Sequence, residues 1–389
     1  MDDQPPPQQP LPPVPPPLAP PPIIYAPPAK PSGCSVVWKI LAIVLLLVVG
    51  LIFVSRLLHF STAVAVTRGR AMTDRVRSLE EVVVEQTNSD NKIAVVTVDG
   101  IISSREADRS SMNMVEFISA QLKEAAQDDD VKAVILKVNS PGGEVMASDD
   151  INAAIRKFQE DTRKPVVASM GTLAASGGYY ISVPCRWIVA NELTITGSIG
   201  VIMDSWNYRA LMDKIGVRPH VFKSGRFKDM LSGEREPDTD KLSPEEQKNR
   251  VEEETMVQSF INETFDKFKD VVKTGRTQAA GENDGKGKAL VDNWQDYADG
   301  RILSGRHALE LGFVDELGDF DVAVKRAEKL ANIPSASLVE YRVAFDFQSV
   351  VSHLFGKSEA PVLKVDLGIG PPTLEAGRFY YILPTAVLH

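Results

Sequence analysis

VKAVILKV, Val131 to Val138, followed at once by NSPGG, Asn139 to Gly143, decides the fold class. The first eight residues are a β-branched, apolar run of strand length, and the Pro-Gly-Gly turn ends it abruptly. Downstream, Val145 to Phe158 reads as a helix and Pro165 to Met170 as a further strand. Upstream, Ile93 to Val98 is a buried-strand run ending at Asp99-Gly100. Between the two strands, Met114, Ile118 and Leu122, with Val115 and Ala125, recur at helical spacing. Strands that alternate with helices imply an α/β fold with a largely parallel sheet. Ser243 to Val272 is a charged helical stretch opened by the start signal Ser243-Pro244-Glu245-Glu246. Gln278 to Lys288 reads as a Gly-rich polar loop without phosphate-loop spacing, so it carries no nucleotide role.

The chain has 389 residues, 43% hydrophobic and 24% charged, which excludes a small disulfide scaffold and a wholly disordered chain. Its 43 Lys and Arg against 52 Asp and Glu give a net charge of −9, which argues against a nucleic-acid binder. Cys34 and Cys185 cannot build a disulfide framework, and five scattered histidines show no ligand-like spacing. No metal and no cofactor is expected.

Composition changes sharply toward the amino end. Fifteen of the 26 prolines lie between Pro5 and Pro31. Residues 1–33 therefore read as a disordered or polyproline tail, a spacer or a ligand for a proline-binding partner of residues 5–31. Ile40 to Ser55 is sixteen residues without a charge, and Val36 to Val54 extends it with only Lys39 inside. At 1.5 Å per residue, about twenty residues span a hydrocarbon core of about 30 Å. Residues 34–58 are thus expected to be one transmembrane helix in contact with membrane lipid, uncleaved despite Ala63-Val64-Ala65. Residues 59–90 read as a charged stem, 91–356 as the globular domain and 357–389 as a C-terminal tail. Within that tail Tyr380 to Pro384 is an apolar piece able to dock on the body or be trimmed by it.

Three segments carry chemistry. NSPGG exposes backbone N–H groups where absent Cβ atoms admit another chain's carbonyl, which suits an oxyanion hole as well as an ordinary turn. ASGGYY, Ala175 to Tyr180, sets Ser176 between a strand and a helix, as a nucleophile or as a helix N-cap. SGRFKDM, Ser224 to Met230, offers Lys228 as the base if burial beside Phe227 and Met230 keeps its amine neutral; solvated surface lysine is the other reading. His220 is a competing base, but it sits within a strand-like run, Arg218 to Lys223.

Together with TGSIGVI (Thr196–Ile202) and GRILSGRHALELGFVDELG (Gly300–Gly318), these motifs make the chain resemble the signal peptide peptidase A family, also called protease IV. The resemblance covers about Ile93 to Ile333. It implies a crotonase-like α/β fold shared with the Clp protease subunit, and a serine peptidase with Ser176 as nucleophile and Lys228 as general base. It further implies that Ser198 orients Lys228 and that the backbone N–H groups of Gly143 and Gly177 form the oxyanion hole. The implied assembly is a homo-oligomeric ring over the membrane, each active site shared between protomers, acting on remnant signal peptides and other unfolded peptides.

The positive-inside rule and the resemblance disagree on orientation. Lys30 and Lys39 precede the apolar run, whereas Arg56, Arg68, Arg70, Arg75 and Arg77 follow it. The expected topology follows the motifs: a single-pass protein of the cell membrane, tail cytoplasmic, catalytic domain extracytoplasmic. The alternative function is a non-catalytic, ring-forming membrane scaffold that recruits partners through the proline tail.

Overall fold

A computed structural model of the chain describes residues 79–105, 112–343 and 380–382. The calls on the proline tail, the transmembrane span and most of the stem lie outside these residues. Among the described residues, no helix is long and apolar enough to cross a membrane.

The element order is β1 (Leu79–Glu85), β2 (Lys92–Asp99), α1 (Met114–Gln127), β3 (Val131–Ser140), β4 (Gly142–Glu144), α2 (Val145–Thr162), β5 (Val166–Ala175) and α3 (Gly177–Ser182). There follow β6 (Trp187–Ala190), β7 (Ile195–Gly197), α4 (Arg209–Lys214), α5 (Pro244–Glu282), β8 (Ile302–Ser304), α6 (Gly305–Glu310), β9 (Glu316–Leu317), α7 (Phe320–Leu330), β10 (Ser337–Val343) and β11 (Tyr380–Ile382). The main sheet runs β1-β10-β2-β3-β5-β6-β9. Every neighbouring pair from β10 to β9 is parallel, and β1 alone is antiparallel on that path. The α/β class with a largely parallel sheet is as expected.

Both faces of the sheet are covered, which is why β2 and β3 read as nearly unbroken apolar runs. Side chains alternate across a strand. Ala94, Val96 and Val98 of β2 join Val134, Leu136 and Val138 of β3 in a core with Ile118 and Leu122 of α1 and Ile151 and Ile155 of α2. Ile93, Val95, Ala133 and Ile135 face the other way, against Ala323 and Ala327 of α7. Each fully buried large aliphatic side chain contributes about 1.5–3 kcal/mol.

Three expectations are corrected. The helix that opens at Ser243 does not stop near Val272 but continues to Glu282, so residues 278–282 of the expected polar loop are helical. Phe268, Val272, Arg276 and Ala279 are buried at helical spacing, and this packing carries the helix onward despite Gly275 and Gly281. The run around His220 forms no strand; Val221 and Phe222 are exposed, and no strand among the described residues pairs with them. The last stem residues differ from expectation as well, because β1 pairs with β10 as an edge strand carrying Glu80, Glu81 and Glu85.

The start of α1 is closed by a reciprocal cap. Asn113 Oδ1 accepts from the Glu116 N–H at 2.9 Å, and the Glu116 carboxylate accepts from the Asn113 N–H at 3.3 Å. Replacing Asn113 by Ala is expected to lower stability by about 1 kcal/mol. A urea midpoint unmoved by Asn113→Ala would show that the cap contributes nothing.

Candidate active site

Strand β5 changes partner along its length. Val167–Met170 pairs with β6, and Leu173–Ala175 pairs with β7. The next residue, Ser176, turns the chain into α3 with φ 53° and ψ −115°, a conformation that L-residues rarely adopt. Its backbone N–H donates to the Gly197 carbonyl at 2.8 Å, which holds the corner to the end of β7. The Ser176 side chain does not cap α3. Its Oγ is buried and has no hydrogen-bond partner among the described residues. A buried unpaired hydroxyl costs about 1–3 kcal/mol, so this serine is held in a strained and unsatisfied state.

Ser198 leaves β7 as Ser176 leaves β5. The two follow the register pair Ala175 and Gly197, and Ser198 is also left-handed, at φ 49°. Its N–H donates to the Arg301 carbonyl at 2.7 Å. β8 pairs antiparallel with β7, so the GRILSG segment buttresses the strand that carries Ser198.

Three glycines bring two backbones side by side. A Cβ on Gly142 would sit 2.6 Å from the Gly177 nitrogen, and Gly142 is at φ +101°. A Cβ on Gly143 would sit 1.9 Å from the Ile102 carbonyl oxygen. Ile102 donates to the Gly142 carbonyl at 2.9 Å and accepts from the Glu144 N–H at 2.8 Å. The N–H and C=O of Gly143 itself therefore face away from Ile102, into the groove on the other side of β4. Glu144 fixes this arrangement: its buried carboxylate accepts from Ser103 Oγ at 3.1 Å and from the N–H and Oγ of Ser104 at 3.2 and 2.7 Å. Nothing in the sequence reading singled out Glu144.

The groove holds β11. Tyr381 is the register partner of Gly143 in an antiparallel pairing, and Tyr380 both donates to and accepts from the backbone of Ile202 at 3.1 Å. Of the two readings of Tyr380 to Pro384, docking on the body or trimming by it, docking is seen for the first three residues.

Lys228 stands apart. It is exposed, and its ammonium makes no hydrogen bond or ion pair among the described residues. The apolar setting expected from Phe227 and Met230 is not present within one chain: Met230 is exposed, and the Phe227 ring is covered by the Arg226 guanidinium at 4.2 Å. Around it, residues 203–235 leave much apolar surface in water, including Trp206 at 79% and Phe222 at 86% exposure. Met203, Trp206, Tyr208, Met230, Met256 and Phe260 line one groove there. His220 is exposed too and rests edge-on against Phe222 at 4.6 Å.

A buried serine hydroxyl with no partner among the described residues, at a strained corner where two glycine backbones meet, is suited to attack on a carbonyl. The profile of peptidase family S49 matches residues 158–334. A candidate signal peptide peptidase SppA of Enterococcus faecium is 34% identical over 268 residues, 68% of this chain and 71% of that protein. A candidate protease of Synechocystis sp. is 35% identical over 287 residues, 73% of this chain and 90% of that protein. Protease 4 of Haemophilus influenzae is 37% identical over 248 residues, 64% of this chain and 36% of that protein.

Proposed function

The chain belongs to the signal peptide peptidase SppA family of S49 serine peptidases, and from that premise we propose that it is a membrane-bound endopeptidase working through a Ser176/Lys228 dyad. The reading rests most heavily on one observation: Ser176 Oγ is buried, has no partner among the described residues, and sits at a strained corner where the Gly142 and Gly177 backbones meet.

The steps follow from what each group can supply. Neutral Lys228 takes the proton from Ser176 as Oγ bonds to a peptide carbonyl carbon. The N–H groups of Gly143 and Gly177 stabilise the oxyanion; one such donor is worth about 3–4 kcal/mol. Lys228 gives the proton to the departing amine, and water then hydrolyses the acyl-enzyme. Ser198 orients the lysine amine. The sharing of each site between protomers of a ring is supported by the two halves left incomplete in one chain, an unpartnered hydroxyl and an exposed lysine on an apolar segment. Covering that segment by a second copy would also supply the dehydration that keeps an amine neutral. The substrates are remnant signal peptides and other unfolded peptides, and the apolar run 34–58 anchors the chain with the catalytic domain outside the cytoplasm. Nothing in the fold favours the scaffold alternative, which has no need for a strained serine.

A fluorophosphonate probe is expected to label the wild-type protein in membranes and to leave Ser176→Ala unlabelled. Equal labelling of Ser176→Ala would move the nucleophile elsewhere.

A further inference from the structure

The segment that carries Lys228 has no regular structure of its own. Residues 221–238 form neither helix nor strand, only turns and bends. Within it the Lys228 N–H donates to the Gly225 carbonyl at 3.2 Å, and the Met230 N–H to the Phe227 carbonyl at 3.0 Å. Such a chain keeps one conformation only if something outside it holds it. Charges do so on both sides of the lysine.

Before it, the Arg226 guanidinium donates to Glu252 Oε1 at 2.7 Å and to Asn249 Oδ1 at 3.1 Å, both on α5. After it, the Asp229 carboxylate accepts two bonds from Lys223 Nζ, at 2.8 and 2.9 Å, and lies 3.8 Å from Arg235 Nε. Arg235 Nη1 in turn donates to both oxygens of Glu253, at 2.8 and 2.7 Å. Lys223, Asp229, Arg235 and Glu253 thus alternate in sign, and Glu253 is where this chain of charges reaches the helix. Among the described residues between Pro244 and Lys267 it alone is buried, its side chain 6% exposed. The buried apolar residues of α5, Phe268, Val272 and Ala279, all lie further on. A buried carboxylate is costly unless a cation meets it, so the outer half of α5 is tied to the lysine segment through this pair. An apolar residue at 253 could bury equally well, but hydrogen-bonded charges fix a direction as well as a contact.

We propose that Glu253 and Arg235, with Asp229, are positioning residues for the peptidase reaction: they set the place at which α5 presents the amine of Lys228 to a Ser176 hydroxyl. This rests on the reading of Lys228 as general base, and the three residues act through it. A base carried on a loop and offered to a second subunit has no support from the strand that carries the serine. Its aim depends on the arm alone, and an error of about 1 Å at the reacting atoms costs about 100-fold in rate.

The test uses the full chain in detergent micelles and a quenched fluorogenic peptide with the composition of a signal peptide. Glu253→Gln keeps the shape of the side chain and removes its charge. It is expected to lower kcat by about 10- to 100-fold with KM within about two-fold, and to speed amide hydrogen exchange in residues 224–235 but not in β3 or β5. Glu254→Gln, at the next and exposed position of the same helix, is expected to change neither. Arg235→Gln supplies a second variant from the other side of the pair and is expected to show the same fall in kcat. Wild-type kcat in Glu253→Gln or Arg235→Gln would overturn the positioning role; an inactive Lys228→Ala beside them would leave the dyad standing. No hydrolysis by wild type, or a fully active Lys228→Ala, would overturn the reading of Lys228 and this proposal together. An equal loss in Glu254→Gln, or faster exchange throughout β3 and β5, would reduce the effect to helix charge or to global stability and overturn the positioning role as well.

Discussion

Mixing Ser176→Ala protomers with Lys228→Ala protomers is expected to restore peptide hydrolysis that neither variant shows alone. Among the described residues the Ser176 hydroxyl has no partner, and Lys228 is exposed without a side-chain bond. If each site takes its serine from one subunit and its lysine from the next, a mixed ring contains sites with both. Random mixing in equal amounts gives about a quarter of wild-type activity, the product of two halves, in a ring built by repeated heterologous contacts. A site contained in one chain predicts zero at every mixing ratio. The measurement is hydrolysis by co-expressed, differently tagged variants, with mixed assemblies isolated through both tags. No activity in assemblies proven to be mixed would confine the dyad to single subunits.

Arg276→Ala is expected to lower stability by about 3–5 kcal/mol. Arg276 and Asp315 form an ion pair with both side chains 1% exposed. The guanidinium also donates to the carbonyls of Gly312 at 3.2 Å and Lys288 at 3.3 Å. Asp315 in turn accepts from the N–H groups of Ile188 at 2.9 Å and Lys288 at 3.0 Å. Removing the cation strands a carboxylate in the interior, a large loss against a total stability of about 5–15 kcal/mol. Replacing both partners by Met and Leu is expected to cost less than the single change, because no charge is left behind. The check is chemical unfolding of wild type and the variants in the same detergent. A single variant as stable as wild type would show that the pair does not hold α5 to the body.

What the sequence made legible follows from what is local. β2, β3 and β5 announce themselves because burial on both faces leaves no polar alternation to obscure them. NSPGG and ASGGYY point to the site because glycine and a serine between strand and helix are needed for close backbone approach and for a sharp corner. β4 was invisible: Gly-Gly-Glu has no strand propensity, and its partner lies more than two hundred residues away at Tyr380–Ile382. β1 reads as stem because a strand at the edge of the sheet tolerates the exposed Glu80, Glu81 and Glu85. The setting of Lys228 cannot be read from one chain if a second copy provides it.

The exchange of partners within β5 fixes a length as well as a shape. Ten residues run from Val166 to Ala175, anchored to β6 at one end and to β7 at the other, with Ser176 next in line. Because strand side chains alternate, adding or deleting one residue between the two anchors would reverse which face the following side chain takes. The composition of that span can drift under selection for apolar bulk alone, but its count cannot. An indel there would silence the hydroxyl in a protein whose core still assembles, a lesion seen by an activity screen and missed by an abundance screen.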